Sequence, residues 1–406
     1  MRLACSFVVA AAVSLAAPTY TKDVAPILNA RCAECHRKGE AAPMALTSYT
    51  EARPWAKAIR QAVVTKRMPV WLADPALDHF KNDRRLSAAE IETIKAWADA
   101  GAPEGNAKDL PVPPQFTEGW SIGKPDLIVD MGEDFDVPAT GEVPYKYFVV
   151  DPGFTQDTWV QSVEVRAGTR AVVHHVIVFL LNDQEKALAR SGGDLLVGWA
   201  PGEQPVQLPE GTARLIRAGT VFRFQVHYTP SGKPAKDRSY VGLRFAKETP
   251  QYRSLIGRAI NTKIRIPAQA PNHEERAVWT STRDVALTSL MPHMHVRGKD
   301  FLYTLVTPDG SRKVLLNVPR YDFNWQLGYS FKEQIEVPKG SRIEVVAHYD
   351  NSPNNKANPD PGKEVLWGDQ TWEEMLIGWF TYRIPVDSPA VATAAQSRPP
   401  SASAEK

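Results

Sequence analysis

Beyond an apolar leader, the chain has two cysteines, Cys32 and Cys35, and both fall within one pentapeptide, Cys32-Ala33-Glu34-Cys35-His36. A disulfide framework is therefore excluded, and a chain of 406 residues must be held by packed cores. The leader, residues 1–17, has Met1-Arg2, an apolar run and small residues at Ala16 and Ala17, the pattern of a secretory signal. Cys5 lies too early in it to read as a lipoprotein cysteine. The run is too short to span a bilayer well, and no later run reaches about 18 apolar residues. The expectation is a periplasmic or secreted protein with no integral membrane segment. Lysine and arginine total 48 against 46 acidic residues, with no basic block, so nucleic acid is not an expected partner.

Cys-x-x-Cys-His reads as a c-type haem attachment site, with Cys32 and Cys35 bonding the haem vinyl groups and His36 supplying the proximal iron ligand. Residues 19–30 read as a short helix entering the motif. Ser87, with Glu90 three positions on, forms a capping box opening a helix through Trp97 that ends near Gly101. First helix, motif and last helix together resemble the small class I cytochromes c over residues 18–108. That family's sixth ligand is usually methionine. Met68, in Arg-Met-Pro-Val-Trp, resembles the family's ligand loop more than Met44 in Ala-Pro-Met-Ala does, and His79 is a further candidate. Residues 109–125, opening Asp-Leu-Pro-Val-Pro-Pro, read as a stiff proline-rich linker.

From there the pattern changes to short β-branched and aromatic runs separated by Gly, Pro, Asp and Asn. Runs at 146–150, 159–165, 171–180, 221–228, 240–245, 301–306 and 342–349 read as strands of β-sandwiches. Their number fits two successive jelly-roll-like units, at 126–250 and 251–386, followed by an Ala/Ser/Pro-rich tail expected to be disordered, at 387–406. The fold class expected is thus a small all-α cytochrome c domain followed by two all-β jelly-roll-like sandwiches.

Histidines recur in this half. Residues 290–299 read Leu-Met-Pro-His-Met-His-Val-Arg-Gly-Lys, and His293 and His295, two apart, leave an extended strand on one face. Imidazole suits Cu, Zn, Fe and Ni, so the pair alone does not name a metal. His174-His175 precedes Val226-His227-Tyr228 much as His293-Met294-His295 precedes Ala347-His348-Tyr349, a weak internal repeat that makes His348 a rival to Met375 as third partner of the later pair. His273, in a polar run, fits no site and reads as a solvated loop residue.

Taken in order, His174-His175, Gln225-Val226-His227-Tyr228, His293-x-His295 with Gly298-Lys299, and Glu374-Met375 resemble the copper type II, ascorbate-dependent monooxygenases, the family of dopamine β-hydroxylase and peptidylglycine α-hydroxylating monooxygenase. The resemblance implies two copper ions. One, held by His174, His175 and His227, stores and passes an electron; the other, held by His293, His295 and Met375, activates dioxygen. Gln225 matches a glutamine that the resemblance implies orients water between the sites. A thioether favours Cu(I), the state that meets oxygen. The chain departs from the animal enzymes in its lack of disulfides there. Leu376 and His348 stand where a bridge is usual, Met291 replaces the amidating enzyme's substrate arginine, and Trp379 replaces a tyrosine. Peptide amidation is therefore not expected, and the implied substrate is a small organic molecule. The implied activity is hydroxylation of a C–H bond, with electrons passing from haem c to the first copper and then the second, supplied by a periplasmic donor or ascorbate. The competing expectation is a non-enzymatic haem and copper electron carrier.

Overall fold

The computed structural model describes residues 17–38, 40, 42–116, 119–182, 193–200 and 203–386. The expected signal segment, up to residue 16, and the expected tail at 387–406 lie outside the described residues.

The architecture is mostly β-sandwich. One nine-stranded sheet runs through both halves of the chain in the order Leu127–Asp130, Tyr240–Phe245, Thr158–Arg166, Thr212–Ile216, Tyr252–Ile260, Ile377–Pro385, Val285–His293 and Tyr329–Val337, with Val206–Gln207 pairing beside Thr158–Arg166. The halves meet where Tyr252 and Arg253 pair in parallel with Thr212 and Ala213. A four-stranded sheet covers the first part, in the order Lys146–Val150, Val221–Tyr228, Val173–Leu181, Asp194–Trp199. Another covers the second, in the order His273–Thr280, Arg342–Tyr349, Gly298–Val306, Arg312–Val318. Between the facing sheets lie two apolar cores, one around Val160, Val176, Phe222, Phe224 and Leu243, the other around Leu287, Phe301, Leu316, Val345 and Phe380. Each is supplied by β-branched and aromatic residues alternating along the strands, the pattern that buries one face of a pleated sheet.

The expected fold class is overturned. No distinct all-α cytochrome domain is present among the described residues. The helices there are short: Ala25–Arg31, Tyr49–Ala52, Ala56–Val64 and Ala88–Asp99, the last opened by the expected Ser87–Glu90 capping box. They enclose a small core of Tyr20, Val24, Leu28, Ile94 and Trp97. The stretch between the last two helices has no helical periodicity, and its apolar residues go elsewhere. Val70, Trp71, Leu72, Ala73, Leu77 and Phe80 pack into the core of the second β-half. Backbone bonds sew the same stretch down: Asp74 N–H to Asn317 O, Lys81 N–H to Ser330 O and Lys332 N–H to His79 O, each 2.8 Å. Apolar side chains that would complete a helical domain are thus spent on a β-core, and the two β-halves share a sheet rather than standing as successive closed units.

Candidate metal and haem sites

The first histidine group is built by strand register. His175 on Val173–Leu181 is the direct partner of His227 on Val221–Tyr228, and a register shift between Val173 and His175 turns His174 toward them. The ring centroids of His174, His175 and His227 lie 4.9–5.6 Å apart. One nitrogen from each falls within 4.8 Å of the others. His174 Nδ1 and His175 Nδ1 face each other at 3.3 Å. His227 Nδ1 is buried with no hydrogen-bond partner among the described residues. A buried polar atom without a partner costs about 1–3 kcal/mol, and three imidazole nitrogens converging around one is the donor set a transition metal accepts. Tyr145 leans against this group, its ring 4.8 Å from His227 and 5.2 Å from His175.

The second group is built differently. His293 is the last residue of its strand, opposite Ile377, and His295 lies just beyond. Their ring centroids are 5.3 Å apart at 87°. His293 Nδ1 donates to Gln326 Oε1 at 2.6 Å and His295 Nδ1 to the carbonyl of Glu373 at 3.1 Å. Each bond fixes the tautomer and leaves Nε2 with its lone pair, the usual way a protein orients a histidine ligand. Met294 between them is clamped by Tyr321, whose hydroxyl accepts from Met294 N–H at 3.2 Å and donates to Met294 O at 2.8 Å. Gly298 fits this clamp because a Cβ there would meet Met294 and Tyr321 atoms at 2.8 Å. Beneath lies a buried carboxylate. Glu374 accepts N–H bonds from His295 at 2.8 Å, Arg297 at 2.7 Å and Met375 at 3.3 Å. Burial pushes its pKa up to about 7 against those bonds. The fully buried Arg297 is in turn held by Asn351 Oδ1 at 2.9 Å and Trp372 O at 2.9 Å.

Met375 therefore shares the anchor of His295, and Tyr349 donates to its carbonyl at 2.8 Å. His348 does not join the pair. It lies in the other sheet, on Arg342–Tyr349, where its cross-strand partners are Glu274 and Asp300. Its Nδ1 donates to Asp300 at 2.7 Å and its Nε2 lies 3.4 Å from Glu274. The sequence repeat thus has no counterpart in sheet position: His227 shares a sheet with His174-His175, whereas His348 and His293 belong to facing sheets. The partners of His348 lie across the strands, on the neighbours either side of Arg342–Tyr349. His273 opens a strand rather than a loop and bonds Glu275 at 3.0 Å.

The two groups are close. Phe323 stacks on His174 at 5.6 Å and 15°, and meets His295 edge-on at 5.9 Å. All five imidazoles are held neutral by burial. His227 and His295 are pushed down to about 3, His293 to about 4, and His174 and His175 also fall below the usual histidine value. Protonating His175 is further disfavoured by repulsion with protonated forms of His227, His174, His293 and His295, imidazoles of both groups. Neutral imidazole is the metal-binding form.

Cys32 and Cys35 are free and half-buried, and Cys32 packs against the small helical core. His36 Nδ1 donates to Met44 O at 3.2 Å, leaving Nε2 free. Two free thiols followed by an imidazole are the residue types that haem attachment requires. Cys35 opens on a small cleft also lined by Val165, Val197 and Trp199 of the first β-half, and Arg170, four residues before His174, pairs with Glu40 there. The Met44 carbonyl is the partner of His36 Nδ1; Met68 is half-buried after Ala56–Val64. His79 is committed elsewhere, bonding Leu315 O at 2.9 Å and packing on Phe80 and Phe331.

Sequence reasoning missed the loop 319–328. It supplies Tyr321, Phe323 and Gln326 to the site, and its composition, Tyr-Asp-Phe-Asn-Trp-Gln between two strands, is more aromatic than a solvated loop needs. Tyr145 and the anchoring roles of Glu374 and Arg297 were also not read.

No family model and no curated protein matches the chain. Among solved structures, the infectious bursal disease virus Gx strain matches at 10% identity over 64% of this chain and 73% of that one, with a TM-score of 0.20. The A223 turret protein of Sulfolobus turreted icosahedral virus matches at 11% identity over 63% and 98%, with a TM-score of 0.16. Among the described residues no helix is long and apolar enough to cross a membrane.

Proposed function

We propose that the chain is an exported haem- and copper-dependent monooxygenase. His174, His175 and His227 would hold an electron-storing copper, and His293, His295 and Met375 an oxygen-activating one. Cys32, Cys35 and His36 would hold haem c, with Met68 as the sixth ligand. The observation that carries the reading is the pair of histidine groups, five neutral imidazoles in one buried region, one with an orphaned Nδ1 and two with Nε2 left free by protein acceptors. Copper bound there would supply one-electron steps which, with dioxygen, two electrons and two protons, convert a substrate C–H to C–OH and release water. The chain's own residues do the rest. Gln326 and the Glu373 carbonyl orient the His293 and His295 rings, Tyr321 fixes the backbone between them, Phe323 fills the space between the groups, and Tyr145 packs against the first. The ion pair of Arg170 with Glu40 holds the haem-attachment segment against the half that carries the electron-storing site. A small organic substrate and dioxygen are the reactants, and a periplasmic donor or ascorbate supplies electrons.

The test is metal content with oxygen uptake. Holo-protein should hold one covalent haem and two coppers per chain, and should consume oxygen only with a reductant and a substrate, found by screening, that it hydroxylates. Zinc in place of copper would sink the monooxygenase reading. Two coppers with no substrate-dependent uptake across the screen would favour the electron carrier. Cys35→Ala should lose covalent haem while retaining both coppers.

A further inference from the structure

We infer that Phe323 is the partition that keeps the two histidine groups as two separate centres; the inference rests on the two-copper reading above. Its ring lies between the groups, stacked on His174 at 5.6 Å and 15°, tilted 6.3 Å from His227 and edge-on to His295 at 5.9 Å. One six-membered ring thus contacts two members of the first group and one of the second, and it is buried, at 9% exposure. The ring is held there by neighbours that are themselves parts of the second site. Tyr321, two residues before it, clamps Met294, and Gln326, three residues after it, accepts the hydrogen bond from His293 Nδ1. Asp322 accepts from Asn324 N–H at 3.0 Å, and Trp325 N–H returns to Asp322 O at 2.9 Å, so the turn carrying Phe323 is closed on itself.

The chemistry of the gap explains why a ring is needed. The walls on both sides are imidazoles, so a cavity between them is polar and wide enough for water once the ring is removed. Water admitted there would give two coppers held by these histidines a path for coupling. An apolar ring offers no lone pair, fills the space and leaves the centres joined only by packed atoms. Phe323 is accordingly a positioning residue: it contacts the imidazoles and sets what can stand between the metals.

The test uses the full chain loaded with copper and oxidised, comparing wild type, Phe323→Ala and Phe323→Leu. Copper per chain is measured by elemental analysis and Cu(II) spin by integrated electron paramagnetic resonance, with a thermal melt as the folding control. Wild type should give two coppers and one spin per copper. Phe323→Ala should keep two coppers but lose at least half of the spin per copper as the pair couples. Phe323→Leu keeps apolar bulk in the gap and should stay close to wild type; it serves as the control for folding and for volume. Unchanged spin per copper in a folded, two-copper Phe323→Ala protein overturns the partition. If Phe323→Ala does not fold, spin loss in Phe323→Leu equally overturns it, because bulk would then be irrelevant. Fewer than two coppers in wild type overturns the two-copper reading instead.

Discussion

The two histidine groups solve one problem in opposite ways. In the first, strand register brings His174, His175 and His227 together, and the nitrogens meet one another: Nδ1 against Nδ1 at 3.3 Å, and a third Nδ1 without a partner. In the second, each Nδ1 has a protein acceptor, and a buried carboxylate holds the backbone of the turn. Sheet pairing can therefore assemble a donor set without finishing it, and on the proposed reading a bound ion would complete its order. The turn cannot rely on a ladder and needs a shell of hydrogen bonds built in advance. The first group should depend on metal for its order, the second on protein.

Both groups share burial, and acid should expose that with the largest effect. Their histidines have folded pKa values below the ordinary value near 6.5, so the unfolded chain binds more protons as pH falls, and stability falls with it from about pH 6.5 toward the folded values near 3 and 4. One pH unit below its ordinary value, each such histidine costs about 1.4 kcal/mol. Glu374 has the opposite sign. Its folded pKa near 7 lies above the ordinary carboxylate value, so its contribution is present at low pH and is lost as pH rises through 7. One such group offsets roughly one histidine, and His227, His293 and His295 together outweigh it, with His174 and His175 acting in the same direction. Metal-free protein should lose about 2 kcal/mol or more between pH 7 and 5.5 in denaturant titrations, and His227→Ala should flatten that slope. A flat profile would mean that the groups are open to water.

The protein-built shell should break next. Glu374→Ala strands three backbone N–H groups and removes the carboxylate facing the buried Arg297. The expected loss is about 3 kcal/mol or more in unfolding free energy, with copper lost from the second site alone. Glu374→Gln keeps one acceptor oxygen and should lose less. A loss of both coppers in a folded Glu374→Ala protein would merge the groups into one.

How much of this was legible in the sequence follows from the same contrast. The strand runs at 146–150, 221–228, 240–245 and 342–349 coincide with observed strands because alternation and β-branching are local signals. His227 beside His175 was readable only as order along the chain, since register is a long-range property. The fate of residues 70–80 was unreadable: an apolar run does not say whose core it will join, and these residues chose the second β-core over a helical one. The loop holding Tyr321, Phe323 and Gln326 has no periodicity, so nothing but its aromatic content set it apart.

At the level of metal affinity the contrast sharpens further. Gln326→Leu removes the acceptor of His293 Nδ1 while leaving all proposed ligands in place. The second site should then bind copper about 10–100-fold more weakly, with stoichiometry still two at saturating metal. His227→Ala has no such shell to lose and should delete one copper outright, sparing the other. Competition titrations with a chelator of known affinity separate the outcomes. If Gln326→Leu leaves affinity unchanged, the second group is no more preorganised than the first.

The smallest effect belongs to His348, and it decides whether the second group recruits a third imidazole. The repeat in sequence sets His348 where His227 stands in the first half, yet its strand lies in the facing sheet and both its nitrogens are engaged, Nδ1 with Asp300 at 2.7 Å and Nε2 near Glu274 at 3.4 Å. All three side chains are part-exposed, and such pairs contribute about 1 kcal/mol or less. A histidine serving as ligand must free one nitrogen, which here means giving up a carboxylate. His348→Ala should therefore lower stability by no more than about 1 kcal/mol and leave two coppers per chain, whereas Met375→Ile should end turnover and spare the copper of the first group. Loss of one copper in His348→Ala would place a third imidazole in the second site and make the two groups alike.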